Sequence, residues 1–114
     1  MKKFVTLLLC MFPVSLFAQV NDGIRQAMDN YDYETVVTLI EPDCQDSLLL
    51  ITKAQALKAM NRYPEAIGVL NSLILKDSTN TKVLIDLAEC YKLTGNSRRA
   101  ANCYQKAMNL QPEN

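Results

Sequence analysis

Residues 34 positions apart match along the second half of this chain: Ala54 with Ala88, Leu57 with Tyr91, Ala66 with Ala100, Leu70 with Tyr104 and Asn80 with Asn114. A fixed offset of this length means that one supersecondary unit is copied in tandem. Each copy is too small to bury its own apolar face, so the chain reads as a stack of units and not as one wrapped core. Such a stack suggests a binding scaffold.

The last copy, residues 81–114, shows the unit most clearly. Leu84, Leu87, Ala88 and Tyr91 recur at helical spacing, Thr94-Gly95-Asn96-Ser97 interrupts them, and Ala100, Tyr104 and Ala107 resume the period. This pattern predicts two helices of three to four turns each, joined by a tight turn. Gly95 suits the left-handed residue that ends a helix, Asn96 or Ser97 suits the cap of the next, and Pro112 stops it. Residues 47–80 repeat the plan with Leu50, Ala54 and Leu57, then Asn61-Arg62-Tyr63-Pro64, then Ala66, Leu70 and Leu73. Asn61 stands where Gly95 stands, and both residue types tolerate left-handed backbone.

Residues 19–46 read as a degenerate unit, with Ile24, Ala27 and Met28 on one short helix and Val36, Val37, Leu39 and Ile40 on another. The register breaks here: Val36 stands about one helical turn too close to Ala66 to keep the offset, and a breaker-rich link, Glu41 to Asp46, shortens the second helix. Two readings remain, a terminal capping unit and an irregular arm.

At these positions the sequence resembles the tetratricopeptide repeat family. Its motif, of the same length as the offset, places small residues at Ala54 and Ala88, large ones at Leu57 and Tyr91, alanine at Ala66 and Ala100, and bulky residues at Leu70 and Tyr104. Leu50 and Leu84 replace the family's frequent tryptophan, and Leu73 replaces its later alanine. The resemblance implies an all-α fold of antiparallel helix-turn-helix repeats stacked as a short right-handed α-solenoid. The expected division is a signal peptide over 1–18, a degenerate repeat or cap over 19–46, and repeats over 47–80 and 81–114.

The signal reading rests on Lys2 and Lys3, the apolar run from Phe4 to Phe12, and a small Ala18 before Gln19. That run is too short for a membrane span, and Leu7-Leu8-Leu9 before Cys10 does not suit a lipidated cysteine, which wants a small residue just ahead of it. The segment resembles bacterial export signals of the Gram-negative, Bacteroidetes-like kind. The expectation is delivery across the inner membrane, to the periplasm, with no stable membrane insertion after cleavage.

Cleavage would leave 10 basic and 12 acidic residues, a balance that argues against nucleic acid as a partner. The charge is uneven: residues 19–46 carry a net −6 and residues 47–114 a net +4. These are either ordinary solvated faces or complementary ends for head-to-tail association. The chain also ends where the last unit ends, which suggests a fragment of a longer repeat protein, an end covered by self-association through the C-terminal repeat, or a tolerated exposure. Of the remaining cysteines, Cys90 and Cys103 fall on adjacent helices but off the stripe assigned to the core, and buried thiols are expected there in preference to a disulfide.

Histidine is absent, no C-x-x-C spacing occurs, and Gly23, Gly68 and Gly95 are too scattered to cradle phosphate. The expectation is therefore no catalysis, no cofactor and no metal, with Asp86 and Glu89 belonging to a solvated face. A better candidate is a matched stripe on the first helix of each good unit: Leu48, Ile51, Gln55 and Lys58, repeated as Lys82, Ile85, Glu89 and Lys92. Steps of three, four and three place each set on one face, about 200° from the Leu50 and Leu84 stripe at about 100° per residue. In the resembling family this face lines a concave groove for peptides, so Ile51 and Ile85 would give apolar contact and Lys58, Lys82 and Lys92 would attract acidic groups. The bland reading of the same stripe is solubility and helix packing. At the whole-chain level the expectation is a non-catalytic interaction scaffold of the cell envelope. The alternatives are a sensory or targeting region of a longer multidomain regulator or enzyme, and a plain spacer.

Overall fold

Small residues at the helix crossings and one left-handed residue per turn set the architecture. The computed structural model describes residues 20–110, which form six helices and no strand. Helix α1 covers residues 20–29, and α2 (Tyr33–Leu39), α3 (Ser47–Ala59), α4 (Tyr63–Lys76), α5 (Thr81–Leu93) and α6 (Ser97–Leu110) follow. Each helix packs on the next along the chain from α2 to α6, giving an all-α helical repeat. The expected export signal with Cys10, and the Pro112 stop, lie outside the described residues.

Three hairpin turns share one geometry. Tyr31, Asn61 and Gly95 have φ of 59°, 62° and 85°. Just after each, the amide of Asp32, Arg62 or Asn96 donates to the carbonyl of Ala27, Leu57 or Tyr91 at 2.8 Å. These bonds satisfy carbonyls that the helix end would otherwise orphan. Asn61 and Gly95 keep the full offset, while Tyr31 stands about one helical turn short of it, so the first unit keeps the plan despite its lost register. Its deficit lies in α2, which has 7 residues where α4 and α6 have 14.

Counting from the turns aligns the cores. Ile24, Ala54 and Ala88 correspond, as do Ala27, Leu57 and Tyr91, and all six are buried. The first unit exchanges the large and small partners, Ile24-Ala27 against Ala54-Leu57, a swap that preserves the summed volume of the crossing. Val36, Ala66 and Ala100 also correspond and are buried. Cys44 sits in the link after α2, yet packs against the hydrophobic clusters of both the first and the later units.

The helix starts are capped by side chains. Asp32 accepts from the Thr35 amide at 3.3 Å, Asp46 from Leu48 at 2.9 Å, Asn80 from Val83 at 3.2 Å and Asn96 from Arg99 at 3.3 Å. Arg62 occupies the equivalent place before α4 and makes no such cap. It instead pairs with Glu65 at 2.6 Å and reaches Glu34 of α2 at 3.5 Å, tying the first unit to the second turn.

The placement of two cysteines departs from the expected core stripe. Cys90 and Cys103 are buried, with thiols unpaired. A helix in a stack meets both its own partner and the preceding unit, so its apolar arc is wider than a single stripe. Burial raises both thiol pKa values, opposed by the charge of Lys58 at Cys90 and of Lys106 at Cys103.

Candidate functional site

The first helices of the two full units, α3 and α5, carry the eight stripe residues, and α1 lies beside α3 at the same cleft. Leu48 is 75% exposed and Ile85 38% exposed, so both offer apolar surface on this face, as Leu75 does on α4 at 88%. Gln55, Lys82 and Lys92 are exposed as well, whereas Ile51, Lys58 and Glu89 are half-buried. Ile51 packs against the main core, so it offers less apolar surface than its counterpart Ile85.

Lys58 does not stand free to meet an incoming acidic group. Its Nζ lies 2.9 Å from Glu89 Oε2 and 3.5 Å from Asp86 Oδ1, so it bridges α3 to α5. Burial works against its charge, but the hydrogen bond to Glu89 and the charges of Asp86 and Glu89 outweigh that, holding Lys58 above the usual lysine range. Asp86 and Glu89 consequently serve an inter-unit bridge, and the expectation of a merely solvated carboxylate pair gives way to this role. The spacing of 28 and 31 residues between partners is close to one unit, and that is the signal by which the bridge could have been found.

Toward α1 the same face opens into a cleft of about 420 Å³. Asn21, Arg25 and Met28 of α1 line one wall, with Leu48, Thr52 and Gln55 of α3 on the other. The structure thus places Leu48 and Gln55 together at the cleft, and groups Lys58 with Glu89 at the next junction. Lys82 and Lys92 sit near opposite ends of α5, about 15 Å apart along a helix with about 1.5 Å rise per residue.

A second cleft, of about 520 Å³, lies between the link after α2, α3 and α4. Pro42, Cys44, Leu50, Lys53, Gly68 and Lys76 are among its lining residues. Sequence reasoning missed it. The available signal was Lys53, which stands one full offset before the buried Leu87 and so puts a charge where the next unit has core. A side chain at Gly68 would meet nothing within 4 Å, which fits an open wall. Lys76 closes one edge by donating to the Gln45 carbonyl at 2.6 Å.

Among the described residues no group of His, Cys, Asp and Glu is placed to hold a metal ion. Nor is any described helix long and apolar enough to cross a membrane.

Residues 57–114 match the family described as tetratricopeptide repeat. An 86-residue stretch, 74% of this chain, is 35% identical to the DnaJ homolog subfamily C member 7 homolog of Dictyostelium discoideum. The chain spans only 16% of that relative's length.

Proposed function

Because the chain belongs to the tetratricopeptide repeat family, whose repeats generally bind protein partners and are typically non-catalytic, we propose that it is a scaffold of the cell envelope that holds a peptide segment of another protein along the α1, α3 and α5 face. The place of the exposed Leu48 at the wall of the α1–α3 cleft carries this reading, since apolar surface beside a concave opening is where a peptide side chain can be buried. Ile85 extends the apolar track, and Lys82 and Lys92 favour a segment with carboxylates flanking its apolar residues. Lys58, already neutralised by Glu89 and Asp86, shapes the face and leaves charge recognition to the other two lysines. The envelope location rests on the export-type segment over residues 1–18.

Photo-crosslinking from position 48 or 85 in the native host tests the face, with position 72 on α4 as the control. Adducts from 48 and 85 but not 72 are expected, and loss of those adducts in Lys82→Glu/Lys92→Glu is expected for an acidic segment. Equal labelling from position 72 would sink the assignment. Cell fractionation with mass determination of the mature N-terminus tests the location.

The relative's much greater length supports a second reading, in which these repeats serve a longer multidomain regulator or enzyme. Sequencing the gene past the Asn114 codon separates the two readings.

A further inference from the structure

The cleft between the link after α2, α3 and α4 holds two residues that the packing of the chain does not account for. Gly68 sits in the interior of α4, where glycine costs stability relative to alanine. Its φ is not positive, Gly95 being the glycine of the described residues in the left-handed region, and a Cβ added to it would meet nothing within 4 Å. Neither backbone conformation nor helix packing therefore asks for glycine at this point. A missing side chain does serve the close approach of another molecule to the α4 backbone.

Lys53 is the second. It is half-buried on the α3 wall and has no ion-pair partner among the described residues. Glu65, which also lines the cleft, feels the charge of Lys53, but Arg62 holds its carboxylate through Nε at 2.8 Å and Nη2 at 2.6 Å. A partly desolvated ammonium without a counter-ion gains more from an incoming anion than a fully solvated one does. At one edge, the bond from Lys76 to the Gln45 carbonyl straps the link to the end of α4. A cleft of about 520 Å³ bounded in this way suits a compact ligand better than a peptide running through it.

We propose that this cleft binds a small amphiphilic carboxylate, its anionic group paired with Lys53 and its aliphatic part lying over Gly68. The half-buried Val69 and Cys44 supply apolar surface beside that glycine. The cleft shares no lining residue with the stripe on α3 and α5 or with the cleft at Leu48. It is a second site, for a small molecule, and stands apart from the face proposed for a peptide.

Titration of the isotope-labelled protein with octanoate, followed through its amide NMR shifts, tests the proposal. The expected result is a saturable shift confined to the amides around Cys44, Lys53, Gly68 and Val69. Lys53→Met should weaken binding about tenfold, the loss of one charge-assisted contact. That variant keeps its fold, because the next unit carries the apolar Leu87 one offset later. Gly68→Leu fills the open space from the protein side and should abolish the shifts, while its melting temperature holds or rises because leucine is the better helix former. Octanol, with the same chain and no charge, should bind no better to the unaltered protein than octanoate binds to Lys53→Met. Shifts that never saturate, that gather at the Leu48 cleft, or that persist unchanged in either variant overturn the proposal. Octanol binding as tightly as octanoate overturns it too, since Lys53 would then recognise nothing. None of these outcomes bears on the peptide-binding reading, which the crosslinks from positions 48 and 85 decide.

Discussion

Lys58 on α3 and Glu89 on α5 are joined by a 2.9 Å ion pair that links the first helices of successive units, with Asp86 as a second acceptor at 3.5 Å. The lysine and Asp86 side chains are only 20% and 18% exposed, so the pair is screened less than a surface bridge. Removing the lysine leaves Asp86 and Glu89 as like charges a turn apart.

Lys58→Met should therefore lower unfolding free energy by about 1–2 kcal/mol, between the ranges for exposed and buried pairs. Urea denaturation of Lys58→Met, Glu89→Gln and the double variant gives the coupling directly. A coupling near zero would mean that the bridge contributes nothing to the stack.

The alkaline limb of stability should be steep. Lys58 has a folded-state pKa raised above its ordinary 10.5, and Cys90 and Cys103 are raised above 9.0. In each case the folded state holds its proton more tightly than the unfolded chain. Stability is then fully present below the unfolded pKa and is lost as pH rises through the folded one. Melting temperature should fall from about pH 9 upward, first through the thiols and then through Lys58. Cys103→Ala should flatten the early part of that fall, and an unchanged profile would remove the thiols from the account.

Thiol accessibility gives an independent check on the burial of the cysteines. Cys44 is half-buried in the link, whereas Cys90 and Cys103 lie in the core. A thiol-reactive dye at neutral pH should modify one cysteine of the described residues quickly and the other two at the rate of global or local opening. Rapid labelling of Cys90 under native conditions would show that the α4–α5 junction is open.

Ala66 and Ala100 are buried at the crossings of their hairpins, at 0% and 4% exposure. Ala100→Leu should overpack the α5–α6 crossing and cost about 1–3 kcal/mol. Unchanged thermal unfolding would contradict the assigned face of α6.

The hairpins were legible in the sequence because their crossings demand small residues and their turns demand left-handed backbone. Ala54, Ala66, Ala88 and Ala100 state the first requirement, and Asn61 and Gly95 the second. Cys90 and Cys103 were legible as buried thiols but fell off the expected core stripe, because a single stripe describes one contact surface, while a stacked helix has two. Tyr31 hid the first turn, since nothing in a tyrosine signals positive φ. The candidate face was legible as a face, but the pairing of Lys58 was not. Which lysine is free depends on how closely α3 approaches α5, a distance that no local pattern encodes.

The first turn carries a strain that the other two avoid. Tyr31 adopts φ 59° with 77% of its surface exposed, and its ring meets Tyr33 edge-on at 6.3 Å. A side chain in the left-handed region costs roughly 1–2 kcal/mol relative to glycine, and an exposed aromatic contact returns only part of that. Tyr31→Gly should then raise stability by about 0.5–1 kcal/mol, the residual after losing the ring contact and adding unfolded-state freedom. Gly95→Ala is the converse change, at φ 85°, and should lower stability by about 1 kcal/mol although a Cβ there meets no atom within 4 Å. Thermal melts of both variants decide the matter together, because opposite signs are required. If Tyr31→Gly destabilises as much as Gly95→Ala, the tyrosine ring is holding the first unit against the stack, and strain is the lesser effect.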